Sequence, residues 1–545
     1  MKGYFISLKK PESIDLMHVT KIALLIVSLL FTFLFVMAGT GNYQWGDPLY
    51  WLWRCKEYDG SFMTIGTIAL GHGWMLLFGD TIFALRLLSW LCVSIAILLP
   101  YFCLLDNKER RNNLHYLAIA YFLSGYGTFQ EYSPGSISVL LVSILFVLWM
   151  RYLKKRNVLI PIVLCVSAAI VSRFPNVVLL LVLFMLILIN GLVNKYSAKR
   201  IVCDELFILG GTLLTSLCLY LLLGCELSFQ GFNNTWNSAA SGGHSMHNLF
   251  FPLLEQGVDI WVFVCVIIVF GRLALETEFP YYWVRWIYII CLSMMFSYYL
   301  LHEFSLHEWY NIRLHIFISS LTVAVAFVYA YDCLKKRDFM TLFIVFSMLL
   351  MGMVVSLGSD TGWLKLFPMY LCFLPFMLGK NCFSFRHSCF LWLILVVFVV
   401  SKYMANPIGG IPMWKSKCFG PYPYNYTLIS NKNCDEFNQF IKDYNEFGRG
   451  KQCVTVGLGW HMFSSITSCP LFVPSFYHNL EHDDGIMDSL YHYMESEGPV
   501  VFLMNYHEEY PQSVVKEIGN NIKSIGYEIV DREDPEYLIC YPKVE

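Results

Sequence analysis

The chain has 545 residues, 57% of them hydrophobic and only 14% charged, with a formal net charge of −2. Soluble domains carry about 25% charged residues, so the composition excludes an ordinary soluble globule and indicates a membrane protein. Near-neutral balance without a long Lys/Arg block argues against nucleic acid as a partner and against a polybasic lipid anchor.

A helix needs roughly 20 apolar residues to cross a bilayer. About thirteen segments approach that length, at 19–38, 80–105, 114–128, 135–153, 157–172, 176–193, 204–224, 256–273, 283–301, 312–332, 339–357, 363–379 and 387–404. The first is too long for the apolar core of a signal peptide and lacks a clear cleavage site, so it reads as an anchor. Alternate connections are short and basic: Lys108-Glu109-Arg110-Arg111, Lys154-Lys155-Arg156, Lys199-Arg200 and Lys335-Lys336-Arg337. The excess of Lys and Arg in such loops marks the cytoplasmic side. With an odd number of spans the N-terminus lies inside, and residues 405–545 lie outside.

The connections expected outside are long. Residues 39–79 form the first, opening with Gly46-Asp47-Pro48-Leu49-Tyr50 and continuing through Trp51, Trp53, Arg54 and Lys56. This part reads as a loop, and 61–78 as a helix lying at the membrane interface. Residues 225–255 and 302–311 form two more outer loops. Loops that only connect are short, so long outer loops facing terse inner ones put the chemistry outside.

From about Ala405 the polar residues return. Strands are expected at 453–457, 500–504, 527–530 and 537–540, and helices at 433–447, 484–496 and 511–524. The fold class is therefore a polytopic α-helical membrane protein with a C-terminal extracytoplasmic α/β domain, divided as 1–404 and 405–545. Of the 18 cysteines, most lie in apolar runs as small buried hydrophobes, and no CxxC pair occurs. Five, Cys418, Cys434, Cys453, Cys469 and Cys540, fall in the outer domain, where disulfides are permitted. Five allow at most two bridges within the domain, and the pairing is not legible in the sequence.

Two acids stand out. Asp47 follows the first span, although Gly-Asp-Pro is also good turn chemistry. Glu131, in Gln130-Glu131-Tyr132-Ser133-Pro134, is the one charge of a tight outer turn between apolar spans, where an idle carboxylate is costly. A third cluster, His302, Glu303, His307 and Glu308, has residue types that bind divalent metals, but not the spacing of a helical zinc pair. Outer cations are scarce, and a phosphate headgroup needs one. Arg54, Lys56, Arg313 and Lys365 are the phosphate candidates, with Arg173 in a hairpin; Arg86 reads as structural. Snorkelling at the interface is the competing role for any one of them.

Taken together, these residues resemble the GT-C class of integral-membrane glycosyltransferases, which includes protein O-mannosyltransferases, aminoarabinose transferases and oligosaccharyltransferases. The resemblance is carried by the acid after the first span (Asp47-Pro48-Leu49-Tyr50) and by Leu77-Phe78-Gly79-Asp80 leading into Ala84-Leu85-Arg86-Leu87-Leu88-Ser89. The outer acid after span three, Glu131, and the count of spans add to it. Motif-level similarity is confined to residues 40–90. Pro48 stands where many relatives carry Glu, and Glu131 stands alone where some have an acidic pair.

The resemblance implies transfer of a sugar from a polyprenyl-phosphate-linked donor to a lipid, glycan or protein acceptor on the outer face. It implies Asp47 as base or metal ligand and Glu131 as a second ligand or positioning acid. A divalent metal on Asp47, Glu131, His302 and Glu303 is the one cofactor considered. The layout suits a bacterial inner membrane with the site on the periplasmic side, in cell-envelope glycan synthesis. A polysaccharide polymerase or ligase is the near alternative. A lipid or polysaccharide transporter fits less well, since no internal repeat and almost no mid-span ionisable residue is seen.

Overall fold

A computed structural model describes residues 16–38, 47–58, 62–124, 132–154, 157–225, 333–355, 369–370, 372–377, 418–419, 422–425, 428–429, 431–456, 484–504, 512–533 and 536–543, with single residues at 326, 330, 331, 467, 469, 470 and 472. Eight of the apolar runs are helices: α1 (Leu16–Ala38), α4 (Ile82–Leu104), α6 (Leu114–Ser124), α7 (Pro134–Lys154), α8 (Leu159–Ser172), α9 (Val178–Val193), α10 (Ala198–Leu222) and α11 (Phe339–Val354). Between them, among the described residues, lie α2 (Asp47–Glu57), α3 (Ile65–Phe78) and the short α5 (Asn107–Asn112). The runs at 256–273, 283–301 and 387–404 lie outside the described residues, and those at 312–332 and 363–379 are described only in fragments.

Among the described residues, four helices have the length and composition to cross a membrane: α4, α7, Phe174–Val193 and α10. The chain is an integral membrane protein. Helix α10 shows how its solvent shaped it. Ile201, Asp204, Ile208, Thr212, Ser216 and Tyr220 are buried at spacings of three and four residues, while Leu206, Phe207, Leu213, Leu214, Leu217 and Leu221 are exposed. Asp204, Thr212 and Ser216 therefore face the bundle beside Ile201 and Ile208, and these leucines face outward, as expected when lipid tails are as apolar as Leu. Buried hydroxyls and amides bond between helices: Ser167 Oγ donates to the Thr212 carbonyl at 3.3 Å, and Asn176 Nδ2 to Ser138 Oγ at 2.9 Å.

The helix ends sort into two sets. At one end lie the basic connections. Lys21 Nζ, in the first turns of α1, donates to the Asn112 carbonyl at 2.7 Å, at the close of basic α5. Tyr152, near the last turn of α7, donates to Asp204 in the early turns of α10 at 2.8 Å. At the other end, Arg173 at the close of α8 donates to the Val355 carbonyl at the close of α11, 2.8 Å away. A guanidinium on a helix's last carbonyls satisfies an orphan acceptor and complements the helix dipole. The basic loops thus share one end, as their alternation in the sequence requires.

The C-terminal segment carries a small sheet. Strands β1 (Cys418–Phe419) and β2 (Leu428–Ile429) form a short antiparallel pair. After α12 (Asn431–Asp443), β3 (Cys453–Val456), α13 (Asp484–Glu497), β4 (Val500–Met504), α14 (Gln512–Ser524), β5 (Tyr527–Glu533) and β6 (Glu536–Pro542) follow in order. The sheet runs β3-β4-β6-β5, parallel between β3 and β4 and antiparallel elsewhere. Strand β3 is buried at every residue, as the short β-branched run Cys453–Val456 indicated, with Thr455 its one polar member. The buried Asp443 carboxylate is held by Arg532 at 2.7 and 3.0 Å, by Gln439 at 3.0 Å and by the Tyr537 hydroxyl. A buried charge with several donors is tolerated where a bare one is not.

Candidate active site

Helix α2 is where the structure departs from the sequence reading, which made 47–57 a loop. Its first residue is Asp47, and Arg54 and Lys56 lie in its last turn. That order of charge suits the helix dipole, and Pro48 in the first turn removes only an N–H that would have no helical partner. Leu49, Leu52 and Cys55, spaced three apart, are fully buried. Each such leucine contributes roughly 1.5–3 kcal/mol relative to exposure in water, so burial holds a helix that local propensity does not announce. One apolar cluster joins these residues to Ile68 and Met75 of α3, to Ile82 and Leu85 of α4, and to Tyr424, Phe437, Phe502 and Tyr537 of the C-terminal segment.

Helix α3 covers part of the expected interfacial helix. It meets the bundle at the end opposite the basic loops. Met63 O accepts from Phe174 N at 3.0 Å, and Thr67 Oγ1 donates to the Ser172 carbonyl at 2.8 Å. Tyr132, one residue after Glu131, donates to the Thr67 carbonyl at 2.5 Å, and Tyr58 donates to the Leu223 carbonyl at 3.0 Å beyond α10. Its last turn exposes Leu76, Leu77 and Phe78, an apolar tip suited to the acyl boundary. Gly79, at φ 90°, takes the left-handed turn that starts the chain back into α4.

Arg54 is buried, 6% exposed. Its guanidinium donates to the Tyr50 hydroxyl at 3.1 Å and lies 5.3 Å from the centroids of both the Tyr50 and Trp51 rings. Such face contacts attract a cation more strongly where water is excluded. Lys56 donates to the Tyr422 hydroxyl at 3.1 Å and lies 3.7 Å from the Asp80 carboxylate, to which Tyr422 donates at 2.5 Å. The Ile82 N–H donates to the Pro423 carbonyl at 3.0 Å, so the 422–425 segment caps the start of α4 beside this cluster. Burial and the Asp80 carboxylate push the Tyr422 phenol up, so it stays a neutral donor. Burial pushes the Cys55 thiol up to about 12 against the pull of Arg54, which leaves it a poor nucleophile. Burial also brings Arg173 down to about 10, still charged at neutral pH, and its bond to Val355 gives it a structural task.

The structure therefore gathers Asp47, Arg54 and Lys56 on one helix at the end away from the basic loops. The Asp47 side chain, Glu131, His302, Glu303, Arg313 and Lys365 lie outside the described residues. Among the described residues, no three His, Cys, Asp or Glu side chains gather as a metal site. Sequence reasoning quoted Asp80 within the Leu77–Asp80 motif but gave it no role, and did not name Tyr422. Asp80 had a signal, as the last acid before a long span, whereas Tyr422 lies 342 residues away with no local mark.

No protein-family model matches the chain, and no curated protein matches it. Among solved structures it is similar to ArnT from Cupriavidus metallidurans bound to undecaprenyl phosphate, at 13% identity and a TM-score of 0.47, covering 97% of this chain and 98% of that one. It is similar also to the archaeal oligosaccharyltransferase AglB from Archaeoglobus fulgidus in complex with an inhibitory peptide and a dolichol-phosphate. There the identity is 10% and the TM-score 0.44, covering 97% of this chain and 75% of that one.

Proposed function

We propose that the chain is a membrane glycosyltransferase moving a sugar from a polyprenyl-phosphate-linked donor to a hydroxyl-bearing acceptor at the extracytoplasmic face. The observation that carries this reading is helix α2: an acid at its first residue and two cations in its last turn, set at the bundle end opposite the basic loops. The resemblance of residues 40–90 to GT-C sequences supports it.

The residue types suit the reaction. The acceptor hydroxyl is a weak nucleophile, and Asp47 takes its proton as the new C–O bond forms at the anomeric carbon. The bond from that carbon to the phosphate oxygen breaks, and the polyprenyl phosphate leaves with the electron pair. The developing negative charge calls for cations, and Arg54 and Lys56 are the candidates on the same helix, joined by Arg313 and Lys365 from the sequence. Positive charge grows on the sugar ring, as in glycosidases, although no water attacks. Glu131, three residues before the start of α7 in the sequence, positions the acceptor. If a divalent ion takes part, Asp47, Glu131, His302 and Glu303 would hold it, and it would supply charge stabilisation at the leaving phosphate. The two parts, 1–404 and 405–545, divide the work: the membrane part holds donor and chemistry, and the outer part closes over α2 and α4 through Tyr422. The inner membrane of a bacterium, with this end periplasmic, is the setting.

Mass spectrometry of envelope glycans and lipids from cells with and without the gene tests the function. A glycan or lipid lacking one sugar in the deleted cells is the expected result. Unchanged sugars together with blocked export or shortened polymer would instead favour a transporter or polymerase.

A further inference from the structure

Strand β3 lies at an edge of the four-stranded sheet, with only β4 paired to it among the sheet's strands. An edge strand buried at every residue needs cover. The 469–472 segment supplies it: Thr455 N donates to the Pro470 carbonyl at 2.9 Å, and Phe472 N donates to the Thr455 carbonyl at 2.9 Å. One residue bonding to both neighbours of a single opposing residue is the pattern of a parallel ladder. In that register, two steps back from the Thr455 bonds, Cys469 stands opposite Cys453.

Cys453 is 7% exposed and Cys469 fully buried. Both are thiols here. The neighbouring Cys469 thiol holds Cys453 below its ordinary value, and Cys453 together with burial pushes Cys469 up. Two cysteines opposed on neighbouring extended segments need little backbone movement to join. The cross-link would close a stretch of chain containing Gly457-Leu458-Gly459.

We infer that Cys453 and Cys469 are a cystine pair, a covalent modification that fastens the 469–472 segment to the open edge of the sheet. The bond forms by thiol–disulfide exchange with a protein disulfide of the outer compartment. The Cys453 thiolate attacks one sulfur of that disulfide and releases a thiol. The Cys469 thiolate then displaces the second, so two Cys thiols and one donor disulfide become one cystine and two donor thiols. In cells this rests on the extracytoplasmic placement under Proposed function. The pairing itself does not.

The test uses the full chain, purified in detergent, equilibrated in an oxidising glutathione buffer, blocked with N-ethylmaleimide and digested without reduction. The expected result is a cross-linked peptide pair joining 453 to 469, about ten-fold or more over the alkylated forms, which separates on reduction. Cys453→Ser and Cys469→Ser should each abolish that pair and leave the partner alkylated, with Cys434 alkylated throughout. Both cysteines alkylated after oxidation, or Cys453 joined to Cys418, Cys434 or Cys540, would overturn the inference. The same digest on protein taken directly from cells separates the two readings. A pair that closes in the buffer but is reduced in cells upholds the pairing and counts against the outer placement.

Discussion

Gly66 tests whether the register of α3 against the bundle sets the candidate site. A Cβ added there would lie 2.9 Å from the backbone N of Ser172 and 3.0 Å from Ser172 Cα and Val171 C, where ordinary contact begins at 3.4 Å. The atoms met are backbone at the end of α8 and cannot turn aside as a side chain would. Gly66→Ala must therefore push α3 outward by about 0.5 Å, stretching the Thr67–Ser172 bond of 2.8 Å and the Phe174–Met63 bond of 3.0 Å. Overpacking of this kind costs about 1–3 kcal/mol. Misplacing a reacting group by about 1 Å can cost on the order of 100-fold in rate. Since α2 packs on α3, a shift half that size should lower transfer on the order of ten-fold. Gly73→Ala, in the same helix, meets nothing within 4 Å and should be neutral or stabilising by up to about 1 kcal/mol. The assay pairs thermal unfolding in detergent with sugar transfer per folded molecule. Equal behaviour of the two variants would refute the close-approach reasoning.

Arg54→Lys keeps the charge but loses the planar fork that meets the Tyr50 hydroxyl and that, on the proposed function, would also meet the donor phosphate. Donor KM should rise and kcat/KM fall at least about ten-fold, roughly 1.4 kcal/mol, while a fall in thermal stability alone would assign Arg54 to packing. Tyr422→Phe removes the hydroxyl shared by Lys56 and Asp80. These partners are partly solvated, so the loss should be about 0.5–1 kcal/mol. Amide exchange at the end of α2 and the start of α4 should quicken, and unchanged exchange there would show that this cluster does not hold the C-terminal segment.

The sequence showed the spans where a long apolar run meets a basic flank. The run at 80–105 became Ile82–Leu104, and that at 135–153 became Pro134–Lys154. In the C-terminal segment the four strands of the larger sheet were legible as short runs rich in apolar residues, as with Val500–Met504, whereas the two-residue strands β1 and β2 were not. Helix α2 was not legible. Its Gly-Asp-Pro opening reads as a turn, and its tryptophans and charges blur the helical period that Leu49, Leu52 and Cys55 carry. Nor was the Lys56–Tyr422–Asp80 cluster, since no local pattern links residues this far apart. The Cys469 partner of β3 was hidden for a third reason: Pro470 and a two-bond ladder leave no strand pattern in the sequence.

The central claim is that a carboxylate at the start of α2 accepts the acceptor's proton. Its most direct test is transfer by Asp47→Asn, reconstituted with a polyprenyl-phosphate-linked sugar and an acceptor extract from the native membrane. Asn keeps the size and helix position but cannot take a proton, so transfer should fall by about 100-fold or more with thermal unfolding unchanged. Turnover near that of the unsubstituted chain would contradict the account.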